Sequence, residues 1–225
     1  NFAGVIERED KEHKITMLPK TVGIYQSLLR VPLCVLHSTA ADKVNLLEVK
    51  WERKDKKGNI LSNHKFQYRR DFATPFPTSV HMKYLDIMMS LFCQNWNPEG
   101  ILYFRYKDIL MIAGLGNVPG SRKAIQQAIK RYRRHMTEWE NCWTGRTDII
   151  NFNLILASSI LDEDGEIKKG RDAANPRNSK NKDFWHTVTF HPKLVMAMKE
   201  EGKNRILLTE MFSKLPTDAF CVYRY

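Results

Sequence analysis

The sequence lacks the features that mark several large classes of protein. No apolar run is long enough to cross a bilayer. The four cysteines are scattered and form no CxxC pair, which argues against zinc or a disulfide framework and favours reduced thiols in the cytoplasm. Acidic residues are also scarce, 25 against 36 Lys and Arg, so the formal net charge is +11. Such an excess of cations favours a polyanionic partner, of which nucleic acid is the commonest.

The residue patterns of common catalytic and cofactor sites are missing as well. The glycine-rich stretch 114–120 lacks both GxGxxG and a closing Gly-Lys-Ser/Thr, and its Pro119 has no amide to donate. His186 and His191 are five residues apart around a predicted strand and would point to opposite faces, which does not suit a metal. The acidic cluster 162–166 lacks the ligand spacing of a calcium loop. The sequence therefore predicts a protein that is not an enzyme and needs no cofactor or metal.

The stretch from 101 to 143 is the most informative. A short apolar helix over 106–113 is followed by Gly and Asn, which tolerate the left-handed backbone of a helix end. Ser121 is the predicted N-cap of a longer helix that continues to Trp139. This helix is amphipathic, with one side predicted to be buried. That side consists of Ile125, Ala128, Ile129, Tyr132, Met136 and Trp139.

The other side of the long helix carries cations and amides. A short helix, a Gly-rich turn and a basic helix predict a helix-turn-helix, whose second helix enters the DNA major groove. The alternative is an ordinary surface helix with solvated charges. The candidate DNA-binding residues here are Ser121, Arg122, Lys123, Gln126, Gln127, Lys130, Arg133 and Arg134.

The flanking segments predict a winged helix. Before the helix-turn-helix come a helix over 81–95, capped by Ser79 and buried through Leu85, Met88, Met89 and Phe92, and a strand over 101–105. After it come strands over 148–160 and 184–190, separated by a basic polar loop. That loop either lies against the phosphate backbone as a wing or is a surface insertion. Its candidate DNA contacts are Lys168, Lys169 and Arg171.

The fold class predicted is therefore α+β, a winged helix-turn-helix with a β-hairpin wing and an N-terminal β-rich segment. Segment 1–77 contains a β-hairpin, with strands near 44–51 and 60–68 around a Lys/Gly/Asn turn. The basic tip of that hairpin is either solvated or a further DNA contact. Residues 78–203 are predicted to form the winged-helix domain, with a wing loop over 161–183. Residues 204–225 are predicted to begin a second winged-helix unit that is truncated here.

The order of elements resembles the winged-helix replication initiator (Rep) proteins of bacterial plasmids. The resemblance rests on the helix 82–91 leading into YFRYKDILMIAG (103–114), and on WHTVTFHPKL (185–194) followed by LLTEMFSKL (207–215) and AFCVYRY (219–225). In the family the last segment usually has Leu where Val222 stands. The resemblance covers roughly residues 78–225.

The resemblance implies sequence-specific binding of double-stranded DNA at origin repeats, without catalysis. Gln126 and Gln127 would then pair with adenine, Arg122 and Lys123 with guanine, and Lys130, Arg133 and Arg134 with phosphates. Host replication proteins are expected partners, a homodimer is one alternative for the assembly, and no membrane is expected. Other interpretations are a winged-helix transcriptional regulator and a non-catalytic protein-interaction module.

Overall fold

The computed structural model describes residues 6–9, 12–15, 21–25, 31–71, 73–116, 118–140, 149–160, 185–201, 203–208, 213–216 and 219. In these ranges the helices are α1 (Ser38–Ala41), α2 (Ser79–Gln94), α3 (Tyr106–Ala113), α4 (Pro119–Arg134) and α5 (Pro192–Glu201). None of the helices described is long and apolar enough to cross a bilayer.

The strands in the same ranges form four antiparallel sheets. They are β1 (Ile6–Glu9), β2 (Glu12–Ile15), β3 (Thr21–Tyr25), β4 (Leu46–Lys54), β5 (Ile60–Arg69), β6 (Ile101–Phe104), β7 (Met136–Glu140), β8 (Ile149–Phe152), β9 (Ile155–Ile160), β10 (His186–Phe190) and β11 (Lys203–Leu208). The larger sheets have the orders β4-β5-β7-β8 and β6-β10-β9, and β1 pairs with β2 and β3 with β11. The predicted α+β class is confirmed.

Helix α2 lies at the centre of the core. The predicted buried stripe of Leu85, Met88, Met89 and Phe92 is confirmed, and nearly every other side of the helix is buried too. Burying a large apolar side chain contributes about 1.5–3 kcal/mol. Helix α2 contacts α3, α4, β3 and β6, so its buried side chains hold these four elements together. The N-cap is Thr78, one residue before the predicted Ser79.

Helix α3 ends at a glycine as predicted, but α4 begins earlier than predicted. Gly114 ends α3 in the left-handed region at φ 71°, and a Cβ there would lie 2.8 Å from Ser213. The prediction that Ser121 is the N-cap is wrong. The N-cap is Val118, and Pro119 occupies the first helical position, where its fixed φ is favourable and its missing N–H costs nothing.

Helix α4 also ends earlier than predicted. It ends at Arg134, His135 has extended backbone, and β7 follows at once. Trp139 is buried as predicted but as part of a strand, whereas Met136 is 42% exposed. The prediction of one helix to Trp139 is wrong because pairing of β7 with β5, a segment about seventy residues upstream, overrides the local period.

The segment predicted as one strand over 148–160 is two strands in different sheets. Strand β8 pairs with β7, whereas β9 pairs with β10. The chain changes sheet at Asn153, whose side-chain amide donates to the Arg133 carbonyl at 2.6 Å. The element order α2, β6, α3, α4 is as the sequence predicts. The hairpin β7–β8 is added between α4 and β9, and β9 and β10 form a three-stranded sheet with β6 in the order β6-β10-β9.

The predicted N-terminal hairpin is confirmed as β4 and β5, in register from Leu46 opposite Arg69 to Lys54 opposite Ile60. Strand β5 pairs in turn with β7, so this hairpin shares a sheet with the strand that follows α4. Strand β11 pairs with β3. The division into the three predicted segments 1–77, 78–203 and 204–225 stays a prediction.

Substituting Ile129 tests the packing of α4 on the core. Its side chain is 7% exposed, so Ile129→Ala should lower the free energy of unfolding by about 2–5 kcal/mol, as other core truncations do. The adjacent Lys130 is exposed, and Lys130→Ala should change the stability by less than about 0.5 kcal/mol. Urea denaturation measures both effects. Equal effects of the two substitutions would show that a different side of α4 faces the core.

Candidate nucleic-acid interface

Helix α4 presents a cationic outer face. Its buried side consists of Ile125, Ala128, Ile129 and Tyr132. The helix contains six Lys and Arg side chains and no acid. The exposed residues among the predicted DNA contacts are Lys123, Gln127, Lys130, Arg133 and Arg134, whereas Ser121, Arg122 and Gln126 are half-buried.

The N-terminus of α4 is open and electropositive. Among the described residues no side chain caps it, no acid lies in its first turn, and a Cβ added at Gly120 would meet nothing within 4 Å. The free N–H groups and the helix dipole favour an anion at this position. Arg122 and Lys123 lie beside the positive end of the dipole, where cations destabilise a helix by a few tenths of a kcal/mol each. Helix stability therefore does not explain their position.

The C-terminus of α4 is firmly held. The Nδ1–H of His135 donates to the Arg131 carbonyl at 2.7 Å, and the Arg131 guanidinium donates to the Phe76 carbonyl at 2.6 Å. Arg131, Arg133 and Arg134 lie in the last turn, where cations favour the helix dipole. These three arginines therefore have a structural role that does not depend on a ligand.

Two of the predicted phosphate contacts already have partners in the protein. Arg134 Nη1 lies 3.5 Å from Asp71 Oδ2, and Arg133 Nη1 lies 3.4 Å from Ser158 Oγ on β9. Both guanidinium groups are exposed, so such contacts are weak and exchange readily for a phosphate. Lys123 and Lys130 have no hydrogen bond or ion pair with any residue that the structure describes.

Each of the two glutamines on α4 is tied to a neighbouring helix. Gln126 hydrogen-bonds the side chain of Tyr106 on α3, and Gln127 hydrogen-bonds the side chain of His81 on α2. A carboxamide has two donors and two acceptor lone pairs, so one such bond orients the group and leaves others for a ligand. Both glutamines are thus held in place before any partner arrives.

His81 and His186 are neutral supports of this arrangement. Burial, and secondarily the charge of Arg131, lowers the pKa of His81 to about 3. Its Nδ1 accepts the backbone N–H of Thr78 at 2.9 Å, closing the N-terminus of α2. Burial, and secondarily Arg122, lowers the pKa of His186 to about 3, and its ring stacks on Tyr106 at 3.8 Å.

The sequence did not point to the residues that position the site. Asp71, His81 and Tyr106 reach α4 from distant parts of the chain, and only His81 has a local signal, three residues after the capping Thr78. The predicted wing loop 161–183, with Lys168, Lys169 and Arg171, lies outside the described residues. None of the residues predicted to contact DNA is tested as such by this structure.

No protein-family model matches the sequence, and no curated protein matches it. Among solved structures, the chain is similar to two crystal structures of domains 2 and 3 of RctB. One has a TM-score of 0.53 at 12% identity and matches 88% of this chain and 67% of that chain. The other, of selenomethionine derivatives, has a TM-score of 0.48 at 14% identity and matches 85% and 65%. This chain spans about two thirds of their length, and the likeness concerns the fold.

His81 and His186 predict acid sensitivity. Their folded pKa lies below that of an unfolded imidazole, about 6.5, so the unfolded chain binds more protons as pH falls. Between pH 8 and pH 5 each should lower the free energy of unfolding by about 2 kcal/mol. His81→Gln keeps an acceptor for the Thr78 amide but cannot titrate, so this variant should lose about 2 kcal/mol of that pH dependence. Urea denaturation at pH 8 and pH 5 measures this. An equal fall in the free energy of unfolding in wild type and variant would contradict the prediction.

Proposed function

We propose that the chain is a DNA-binding module of a replication initiator, and that it binds origin repeats in double-stranded DNA without catalysis, in the cytoplasm. The single observation that carries the proposal is the outer face of α4. It is basic, free of acids, and continuous with an open helix N-terminus. A duplex supplies the phosphates that such a face requires.

The proposed architecture is a winged helix-turn-helix, with α3 and α4 as its two helices and β9 and β10 as the strands of the wing. The order α2, β6, α3, α4, β9, β10 and the sheet order β6-β10-β9 support it. RctB, whose domains 2 and 3 share the fold, is a replication initiator. That likeness and the sequence resemblance to plasmid initiators support the same class of function.

In the proposed complex, α4 enters the major groove with its N-terminal half toward the bases. Gln126 and Gln127 would read adenine, and Arg122 and Lys123 guanine, because these are the pairings that base-edge geometry favours. The Ser121 amide and the cations Lys130, Arg133 and Arg134 would contact phosphates and set the register. Lys168, Lys169 and Arg171 would contact the backbone from the wing.

Alanine substitutions on α4 should separate the two kinds of contact. Lys123→Ala and Gln127→Ala should each cost about 1–3 kcal/mol at the preferred sequence and relax one base position. Lys130→Ala and Arg134→Ala should weaken binding to all sequences and each reduce the salt slope by about 1. The preferred sequence is obtained by selection from a random duplex pool, and affinities by fluorescence anisotropy.

A matched control is Lys199→Ala. This substitution removes an exposed cation on α5, whose Nζ lies 4.7 Å from the centre of the Trp96 ring. It should leave affinity and salt slope close to wild type. If the variant with all four α4 substitutions bound duplex DNA as tightly as wild type, this helix would not be the interface.

A further inference from the structure

The hairpin β4–β5 extends beyond the sheet that it belongs to. Of strand β5, only the second half, Lys65–Arg69, pairs with β7. Within the described residues, the first half of β5, residues 60–64, pairs with β4 alone. Strand β5 has ten residues at ~3.3 Å each, so the hairpin is about 30 Å long, and about half of it lies beyond the part that pairs with the described residues of β7. Residues 50–64 are called the hairpin arm below.

The tip of the hairpin arm is internally fixed. Asp55 Oδ1 accepts the backbone N–H groups of Lys57 at 2.7 Å and Asn59 at 2.9 Å, and Asp55 Oδ2 accepts the Asn59 side-chain amide at 2.9 Å. These hydrogen bonds, that of the Asn59 side chain first, lower the pKa of Asp55. Gly58 turns the chain at φ 87°. The only acid of the tip is therefore used to hold the turn, and the cations around it point outward from a defined loop.

The hairpin arm carries an excess of cations that the protein itself does not neutralise. Lys50 pairs with Glu48 at 2.9 Å and Lys54 with Glu52 at 3.1 Å, each along one strand. Arg53, Lys56 and Lys57 are exposed and form no ion pair with any residue that the structure describes. Three exposed cations within five residues of the arm, without an ion pair among the described residues, match a polyanion better than an apolar protein surface.

The hairpin arm has a fixed direction relative to α4. Strand β7 begins directly after the helix, and its first residue, Met136, pairs with Arg69 at the base of the hairpin. The buried His135 contacts both elements, because its Nδ1–H donates to the Arg131 carbonyl of α4 and its ring lies 5.5 Å from the Tyr68 ring on β5. The tip therefore lies about 30 Å along the strands from the end of α4, close to the ~34 Å of one turn of B-DNA.

We infer that the hairpin arm is a second nucleic-acid contact, in which Arg53, Lys56 and Lys57 bind the phosphate backbone of the duplex that α4 holds. The inference rests on the proposed function. The contact contributes affinity and register but no base preference, since its three cations bind phosphates, which carry no sequence information.

The test compares the salt dependence of binding to a 30-base-pair mixed-sequence duplex. Each phosphate contact contributes about 0.9 to the slope of log K against log salt, so the Arg53→Ala/Lys56→Ala/Lys57→Ala variant should have a slope smaller by about 2 to 3. Its base preference in selection from a random pool should equal that of the wild type. Thermal melting followed by circular dichroism should show an unchanged fold, because all three side chains are exposed.

Two control variants make the result specific. Lys43→Ala/Lys193→Ala/Lys199→Ala removes three cations elsewhere and should change the slope by less than 1. Ile60→Thr/Leu61→Thr replaces two exposed apolar residues of the same arm, 55% and 59% exposed, and should leave the slope unchanged. An equal loss of slope in the first control would make the effect one of net charge, and an equal loss in the second would show that the effect does not depend on the three cations; either result overturns the inference.

The outcomes also separate this inference from the proposed function. Wild-type protein that fails to bind the duplex would refute both. Wild-type protein that binds with a salt dependence unaffected by the triple arm substitution would refute the hairpin arm alone and leave α4 as the interface.

Discussion

The change from helix to strand at His135 is the constraint on which the rest of the structure depends. Its ring is fully buried between Tyr68 and Phe76, with centroids 5.5 Å and 5.0 Å away. Its Nδ1 holds the last turn of α4, and burial lowers its pKa, so the buried ring is neutral. A longer helix would carry Thr137 and Trp139 away from β5. By ending the helix here, His135 fixes the basic face of α4 and the four-stranded sheet as one unit.

The local parts of this fold could be predicted from the sequence because their signals are local. The Lys/Gly/Asn turn predicts the β4–β5 hairpin, and Gly114 predicts the end of α3. The apolar residues of α2 predict its burial. The end of α4 could not be predicted in the same way, because Tyr132, Met136 and Trp139 continue a helical spacing. Only the pairing of Trp139 with Phe66, which is remote in sequence, decides that this segment is a strand.

The candidate site likewise has parts that could be predicted from the sequence and parts that could not. The outward direction of Lys123, Gln127 and Lys130 follows from helical periodicity and could be predicted. The partners that orient the site, Asp71 on Arg134 and His81 on Gln127, come from other segments and carry no pattern that links them to α4. The open N-terminus of α4 could not be predicted from the sequence, because Ser121 was expected to be its N-cap. With Val118 at the cap, Ser121 lies inside the first turn and its amide is free for an anion.

Site-directed photocrosslinking tests the central claim, that the outer face of α4 contacts duplex DNA, most directly. A benzoylphenylalanine would replace Lys123 in one protein and Met196, an exposed residue of α5, in another. Both would be irradiated with labelled duplex DNA at low salt. The account predicts an efficient crosslink from position 123 that excess unlabelled duplex removes, and little from position 196. Equal crosslinking at the two positions, or more at 196, would contradict it.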